Sequence, residues 1–150
     1  MKEIIDRASA LKAENFVVYP VNKKDKAELP EVAKSFHEAG FQIMATGSTY
    51  DMIIKEGIPA EKIKKFTEGR PNTLDIITNG KVHLIINSPI GKDSINDDSY
   101  LRKAAIKGRI PYITTMAAAK ATAEGISYLK KYGNSEVKSL QELHAEIHDK

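Results

Sequence analysis

The sequence predicts an α/β fold, a three-layer α/β/α sandwich around a mainly parallel, Rossmann-like sheet. Short segments rich in β-branched residues alternate with longer segments whose apolar residues recur at helical spacing. Glycine follows most of the helix-like segments directly, as it does at helix C-termini. The continuous apolar run Val82–Ile86 is typical of a strand buried on both faces. Strands that alternate with helices favour right-handed parallel crossovers, which place helices on both faces of the sheet.

The elements follow from local residue patterns. The predicted strands, which are short and apolar, are Phe16–Tyr19, Phe41–Ala45, Lys62–Phe66, Val82–Ile86 and Ile110–Thr114. The predicted helices, which carry apolar residues at intervals of three and four, are Leu29–Ala39, Ser48–Glu56, Asn72–Asn79, Asp97–Lys107 and Met116–Lys131. Lys62–Phe66 alternates charged with apolar residues after Pro59, which indicates an edge strand. We expect residues 1–15 to form an amphipathic linker helix before one domain of residues 16–150, and a further helix to follow Gly133.

Composition excludes several classes of function. The chain has no cysteine, which excludes disulfides, thiolate metal sites and a cysteine nucleophile, and suits a reducing cytoplasm. No segment approaches the ~18 consecutive apolar residues of a membrane span. The net charge is only +3 and its signs are mixed, unlike the basic stripe of a nucleic-acid binder. We therefore expect a cytoplasmic protein without membrane or nucleic-acid partners, which binds small anions.

Hydroxyl-rich loops follow two of the predicted strands. Ala45–Thr49 leads from a strand into a helix, and Thr114 and Thr115 do the same before Met116. Ligands of open α/β sheets bind beyond the carboxyl ends of the strands, where helix N-termini favour phosphate. The alternative is that these hydroxyls only cap their helices. Neither a P-loop nor a G-x-G-x-x-G fingerprint follows a strand, which argues against a P-loop NTPase or an ordinary dinucleotide site.

Candidate catalytic and metal-binding residues are scarce. His144 and His148 are four residues apart, but the segment lacks the H-E-x-x-H order and a third ligand. His37 and His83 have no serine beside them that would make a nucleophile pair. The sequence thus predicts no catalytic residue, no metal and no cofactor.

Five segments together resemble the methylglyoxal synthase-like domain, and most closely the C-terminal allosteric domain of carbamoyl phosphate synthase large subunits. In chain order they are Ala45–Thr49, Lys65–Asn72 (Lys-Phe-Thr-Glu-Gly-Arg-Pro-Asn), Leu84–Pro89, Arg102–Ala105 and Ile110–Thr115. The Glu-Gly-Arg-Pro-Asn stretch is the most specific of them. The resemblance runs from about Phe16 to Ile147.

The resemblance implies regulation of an ATP-dependent ligase and no catalysis by these residues. It implies a nucleoside monophosphate effector, UMP or IMP, bound by Lys26, Thr46, Thr49, Lys65, Asn87, Asp97 and Thr115. It also implies an ornithine site at Tyr112 and Thr114, apart from the nucleotide. The implied partners are the synthetase domains of the same large subunit and, through them, the glutaminase small subunit. That enzyme makes carbamoyl phosphate from glutamine, bicarbonate and ATP for arginine and pyrimidine synthesis.

The chain departs from the family pattern at two positions. Pro89 replaces a nucleotide-contacting threonine of the enterobacterial type, and Ser48 replaces a glycine, so the identity of the effector stays open. One alternative function is methylglyoxal synthase, which eliminates phosphate from dihydroxyacetone phosphate. Its catalytic aspartate aligns with Arg70 here, and a cation cannot abstract a proton from carbon. A free-standing sensor of phosphorylated metabolites is another alternative.

Overall fold

The computed structural model describes residues 15–18, 25–88 and 95–133, with side chains for residues 25–88 and 99–133. The strands of this part of the chain are β1 Asn15–Val18, β2 Gln42–Thr46, β3 Glu61–Ile63, β4 Leu84–Ile86 and β5 Tyr112–Ile113. Its α-helices are α1 Leu29–Glu38, α2 Gly47–Lys55, α3 Thr73–Thr78, α4 Ile95–Lys107 and α5 Met116–Tyr132. Short 3₁₀ turns occupy Asp25–Ala27 and Phe66–Glu68. None of the described helices is long and apolar enough to cross a membrane.

The five strands form one parallel sheet in the order β3-β2-β1-β4-β5. Val18 of the central strand pairs with Ala45 on one side and with Ile86 on the other. One residue further along, Thr46 of β2 and Asn87 after β4 therefore share a row at the carboxyl edge, two strands apart. The chain builds outward from β1 to β3 and then returns to the other side of β1. The resulting switch point between β1 and β4 is where such sheets hold ligands.

Alternation of side chains along the strands divides the core into two layers. Ile43 and Ala45 of β2 pack in the cluster that includes residues of α1, α2 and α5, whereas Met44 packs in the cluster of α3 and α4. Residues of β4 divide in the same way, and all three, Leu84–Ile86, are fully buried. Helices on both faces of a parallel sheet confirm the predicted three-layer α/β/α sandwich.

The predicted strands and helices are present, but several boundaries differ from the prediction. β3 ends at Ile63, short of the predicted Phe66, because the Lys64 carbonyl accepts hydrogen bonds from the backbone N–H of Thr73 at 3.1 Å and from its hydroxyl at 3.0 Å. This pairing draws the chain out of the sheet and into the turn at Phe66–Glu68. β4 and β5 are also shorter than predicted, and α4 begins two residues earlier. The predicted terminal helices lie outside the described residues, with one exception. Asn15, predicted as the last residue of the N-terminal helix, instead begins β1.

Candidate anion site at the carboxyl edge of the sheet

Thr46 ends β2 and occupies the N-cap position of α2 without capping it. Its side chain is 1% exposed, and Oγ1 has no hydrogen-bond partner in the described part of the chain. The N-cap side chains of α3 and α5 do make capping hydrogen bonds. Asn72 Oδ1 accepts from the Leu74 N–H at 3.0 Å, and Thr115 Oγ1 accepts from the Ala118 N–H at 3.2 Å. A buried hydroxyl without a partner costs about 1–3 kcal/mol. Thr46 therefore presents unused hydrogen-bonding capacity at a helix N-terminus.

Lys65 lies over the first turn of α2. Gly47 begins that helix with a φ of +46°. A Cβ atom added to Gly47 would lie 4.0 Å from Lys65 Cε. The backbone of Lys65 is held by Glu68, whose carboxylate accepts from the Lys65 N–H at 2.9 Å. Thr49, buried in the same helical turn as Gly47, completes the group. A helix N-terminus, a buried hydroxyl and a lysine side chain thus lie together at the end of β2, an arrangement suited to an anion.

Asn87 marks the other side of the switch point, directly after β4. It is 3% exposed, and its Nδ2 donates to Tyr112 Oη at 2.6 Å. Its backbone N–H donates to the Ile113 carbonyl at 2.8 Å. The Arg102 guanidinium lies 5.5 Å from the centre of the Tyr112 ring, within cation–π range. Asn87 and Tyr112, which the sequence resemblance assigns to two different ligands, are therefore in direct contact.

The 3₁₀ turn at Asp25–Ala27 is fastened to the same edge. The Ser88 hydroxyl donates to the Asp25 carboxylate, across 63 positions of sequence. Ser88 follows Asn87, so this hydrogen bond brings the turn that carries Lys26 to the end of β4. Lys26 itself is half-buried.

Two aromatic rings pair at Phe66, the residue that follows Lys65 in sequence. Phe66 and Tyr100 lie with ring centres 5.1 Å apart and planes inclined by 30°, and both are about half exposed. Phe66 also lines a cleft of about 500 Å³ together with Arg70 and Asp75. Arg70 hydrogen-bonds to Asp75, and this bond, with the Asn72 N–H, holds the pKa of the Asp75 carboxyl below its usual range. The position where the lyase would need a base is thus an ion-paired guanidinium.

The structure brings some of the predicted ligand residues together and separates others. Thr46, Thr49 and Lys65 cluster at α2, whereas Asn87 lies two strands away. Tyr112 contacts Asn87, and the turn that carries Lys26 lies at the end of β4. Thr114 and Thr115 are exposed at the end of β5, and Asp97 lies in the first turn of α4 with its side chain outside the described set.

Sequence reasoning missed several members of this edge. The Ser88 to Asp25 bond and the Asn87 to Tyr112 bond join residues far apart in sequence, so no local pattern signals them. Phe66 could have been found, because an aromatic residue directly after a candidate phosphate lysine is visible in the sequence. Pro89, His144 and His148 lie outside the described residues.

Another cleft lies at the opposite, amino edge of the sheet. It has a volume of about 360 Å³ and is lined by residues that include His37, Phe41, Pro59 and Glu61. None of the predicted ligand residues lines it. Within residues 25–88 and 99–133, no group of three or more histidine and acidic side chains could hold a metal ion.

Known proteins resemble this chain in sequence and in fold. It is 42% identical to the carbamoyl phosphate synthase large chain of Methanothrix thermoacetophila and 46% identical to that of Acidobacterium capsulatum, over 91% and 86% of this chain. Only 13% and 12% of those relatives is covered, so this chain spans about an eighth of their length. The C-terminal section of the Aquifex aeolicus large chain is 41% identical over 83% of this chain and 24% of the relative.

A solved structure, the crystal structure of ForH, shares the fold. Its TM-score is 0.57 at 16% identity, over 81% of this chain and 82% of that one. A family model described as the MGS-like domain matches residues 28–114, more than half of the 150 residues. That stretch contains β2, β3, β4 and β5 and the helix N-terminus that carries Thr46 and Lys65. The chain belongs to the MGS-like domain family.

Proposed function

We propose that this chain is the effector-binding regulatory domain of a carbamoyl phosphate synthase and that it binds the phosphate of a nucleoside monophosphate at the N-terminus of α2. The observation that carries the proposal is Thr46 Oγ1, which is buried and has no partner among the described residues at the start of a nine-residue helix. A phosphate oxygen there would accept from this hydroxyl and from the first N–H groups of α2, with Lys65 supplying the opposite charge.

The surroundings favour a ligand larger than phosphate alone. Phe66 follows Lys65 in sequence, and its ring pairs with that of Tyr100, so that both offer half-exposed aromatic surface. Bases pack on such faces, as nucleic-acid binding proteins illustrate. Asn87 offers a fixed amide on the far side of β1. These features support UMP or IMP as the effector class, with ornithine as a further effector at Tyr112 and Thr114.

The regulatory role rests on the relatives and on the lack of a base at Arg70. The relatives named above are carbamoyl phosphate synthase large chains, and this chain matches only a small share of each. We therefore assign the synthesis of carbamoyl phosphate for arginine and pyrimidines to partners: the synthetase domains, joined through residues 1–15, and a glutaminase subunit. The cysteine-free composition supports a cytoplasmic setting for this assembly.

Calorimetric titration of the 150-residue chain with inorganic phosphate, UMP, IMP and ornithine tests the proposal. The variant Lys65→Ala should weaken nucleotide binding by about 1.5–3 kcal/mol, the scale of a hydrogen bond to a charged group. Binding that remains should depend less on salt, because one charge pair is gone. Lys62→Ala is the matched control, since Lys62 is exposed and lies 3.8 Å from Asp51 on the neighbouring surface.

Two results would contradict the proposal. Equal nucleotide affinity in Lys65→Ala and the unmodified chain would place the ligand elsewhere. Release of methylglyoxal from dihydroxyacetone phosphate by the purified chain would replace the regulatory role with the lyase activity.

A further inference from the structure

We infer that Tyr112 is a positioning residue of the nucleotide site: its hydroxyl holds the Asn87 amide so that Asn87 binds the part of the effector beyond the phosphate. This inference rests on the proposed function. It assigns Tyr112 a role in the nucleotide site, in addition to the ornithine contact proposed above. The contact that carries it is the 2.6 Å hydrogen bond from Asn87 Nδ2 to Tyr112 Oη.

Sheet geometry separates Asn87 from the phosphate. Thr46 and Asn87 share a row at the carboxyl edge, with β1 between them. Two strand spacings place their backbones roughly 10 Å apart. A phosphate held at Thr46 and Lys65 is too small to cover that gap. A longer ligand that starts at α2 and extends across β1 would reach Asn87 with its sugar or base.

Side-chain alternation places both residues on the same face. Thr46 is two residues beyond Met44, and Asn87 is two residues beyond Ile85; Met44 and Ile85 both belong to the core layer of α3 and α4. Tyr112 packs against that same layer. A ligand that lies along this face would therefore meet Thr46 first and the amide of Asn87 second.

The ring of Tyr112 is itself held in place, which makes its hydroxyl a fixed anchor. Tyr112 packs on the α3 and α4 layer, and the Arg102 guanidinium lies 5.5 Å from the ring centre. Asn87 is 3% exposed, so its amide cannot exchange this partner for bulk water without a change in packing. Removing the hydroxyl would take away one of the contacts that orient the amide, with the loss falling on the ligand contacts that Asn87 makes.

The test compares UMP and IMP with inorganic phosphate in calorimetric titrations of the full chain. Tyr112→Phe should weaken UMP or IMP binding about two- to tenfold, the range that one neutral hydrogen bond carries, while phosphate affinity stays within about twofold. Asn87→Ala should show the same selective loss. In the double variant the loss of nucleotide affinity should equal that of Asn87→Ala alone, because the inference has the hydroxyl act on the nucleotide through the amide.

Controls separate a positioning role from a structural one. Tyr128→Phe removes a hydroxyl from an exposed tyrosine of α5 and should leave all affinities unchanged. Melting temperatures of all variants show whether folding is affected. An equal loss for nucleotide and phosphate in Tyr112→Phe, additive losses in the double variant, or unchanged nucleotide affinity would each overturn the inference. A chain that binds phosphate but no nucleotide also overturns it, whereas a chain that binds neither overturns the proposed function itself.

Discussion

Thr46→Val is the most informative substitution, because it should lower ligand affinity without lowering stability. The change replaces the hydroxyl with a methyl group of similar shape. A hydroxyl donating to a phosphate is worth about 1.5–3 kcal/mol, so affinity should fall about 10- to 150-fold. In the ligand-free chain the same change removes a buried group that has no partner among the described residues. Unfolding free energy should therefore stay equal or rise by up to about 1–3 kcal/mol.

The measurements are calorimetric titration with inorganic phosphate and UMP, and thermal unfolding without ligand. Each kcal/mol of added stability should raise the melting temperature by about 2–4 °C in a domain of this size. Thr122→Val is the matched control: Thr122 is fully buried and donates to the Ala118 carbonyl at 2.7 Å on α5. This control should lose stability and keep its affinity. Loss of a helix cap typically costs about 1 kcal/mol. If Thr46→Val lost that much stability and bound phosphate normally, Thr46 would be a helix cap and not a phosphate ligand.

Two further substitutions test the backbone at α2 and the ion pair beside α3. Gly47→Ala should cost about 1–2 kcal/mol in thermal unfolding, because Gly47 has a φ of +46°; an unchanged melting temperature would contradict this. Asp75 has a lowered pKa because of its hydrogen bond from Arg70 and the N–H of Asn72. Its stabilising contribution is complete above the ordinary aspartate pKa of about 3.9 and is lost as pH falls through the lower folded value. Melting curves of Asp75→Asn and the unmodified chain should therefore converge in acid, and a constant gap down to about pH 2 would count against this pairing.

Local sequence patterns were sufficient to predict the three layers of the fold, but not where each strand ends or how the site residues contact one another. The alternation of strand-like and helix-like segments gives a parallel sheet covered on both faces, because each type of segment has its own apolar period. The end of β3 was predicted wrongly, since Lys64 pairs with Asn72 through a bridge between segments eight positions apart. Propensity alone cannot anticipate such tertiary pairing.

The candidate site was partly visible in the sequence. The sequence alone identified the hydroxyl-rich loop at Thr46 and the cation at Lys65 as separate candidate anion ligands. The structure places both at the N-terminus of α2. The sequence could not indicate that the Thr46 side chain makes no N-cap hydrogen bond whereas the Thr115 side chain does. Both are threonines at the same kind of strand-to-helix turn. Contact between Asn87 and Tyr112 depends on the strand order, which lies beyond any local pattern.

Among the described residues, the outer strands of the sheet are β3 and β5, which are only three and two residues long. An exposed edge is a template for strands of another chain, and short edges with charged residues blunt it. Glu61 and Lys62 place exposed charges on β3. The sheet therefore offers little for β-augmentation or amyloid-like stacking. Under the proposed function, a neighbouring domain would contact helix surfaces and loops, and a signal from the effector would travel by helix movement rather than by extension of the sheet.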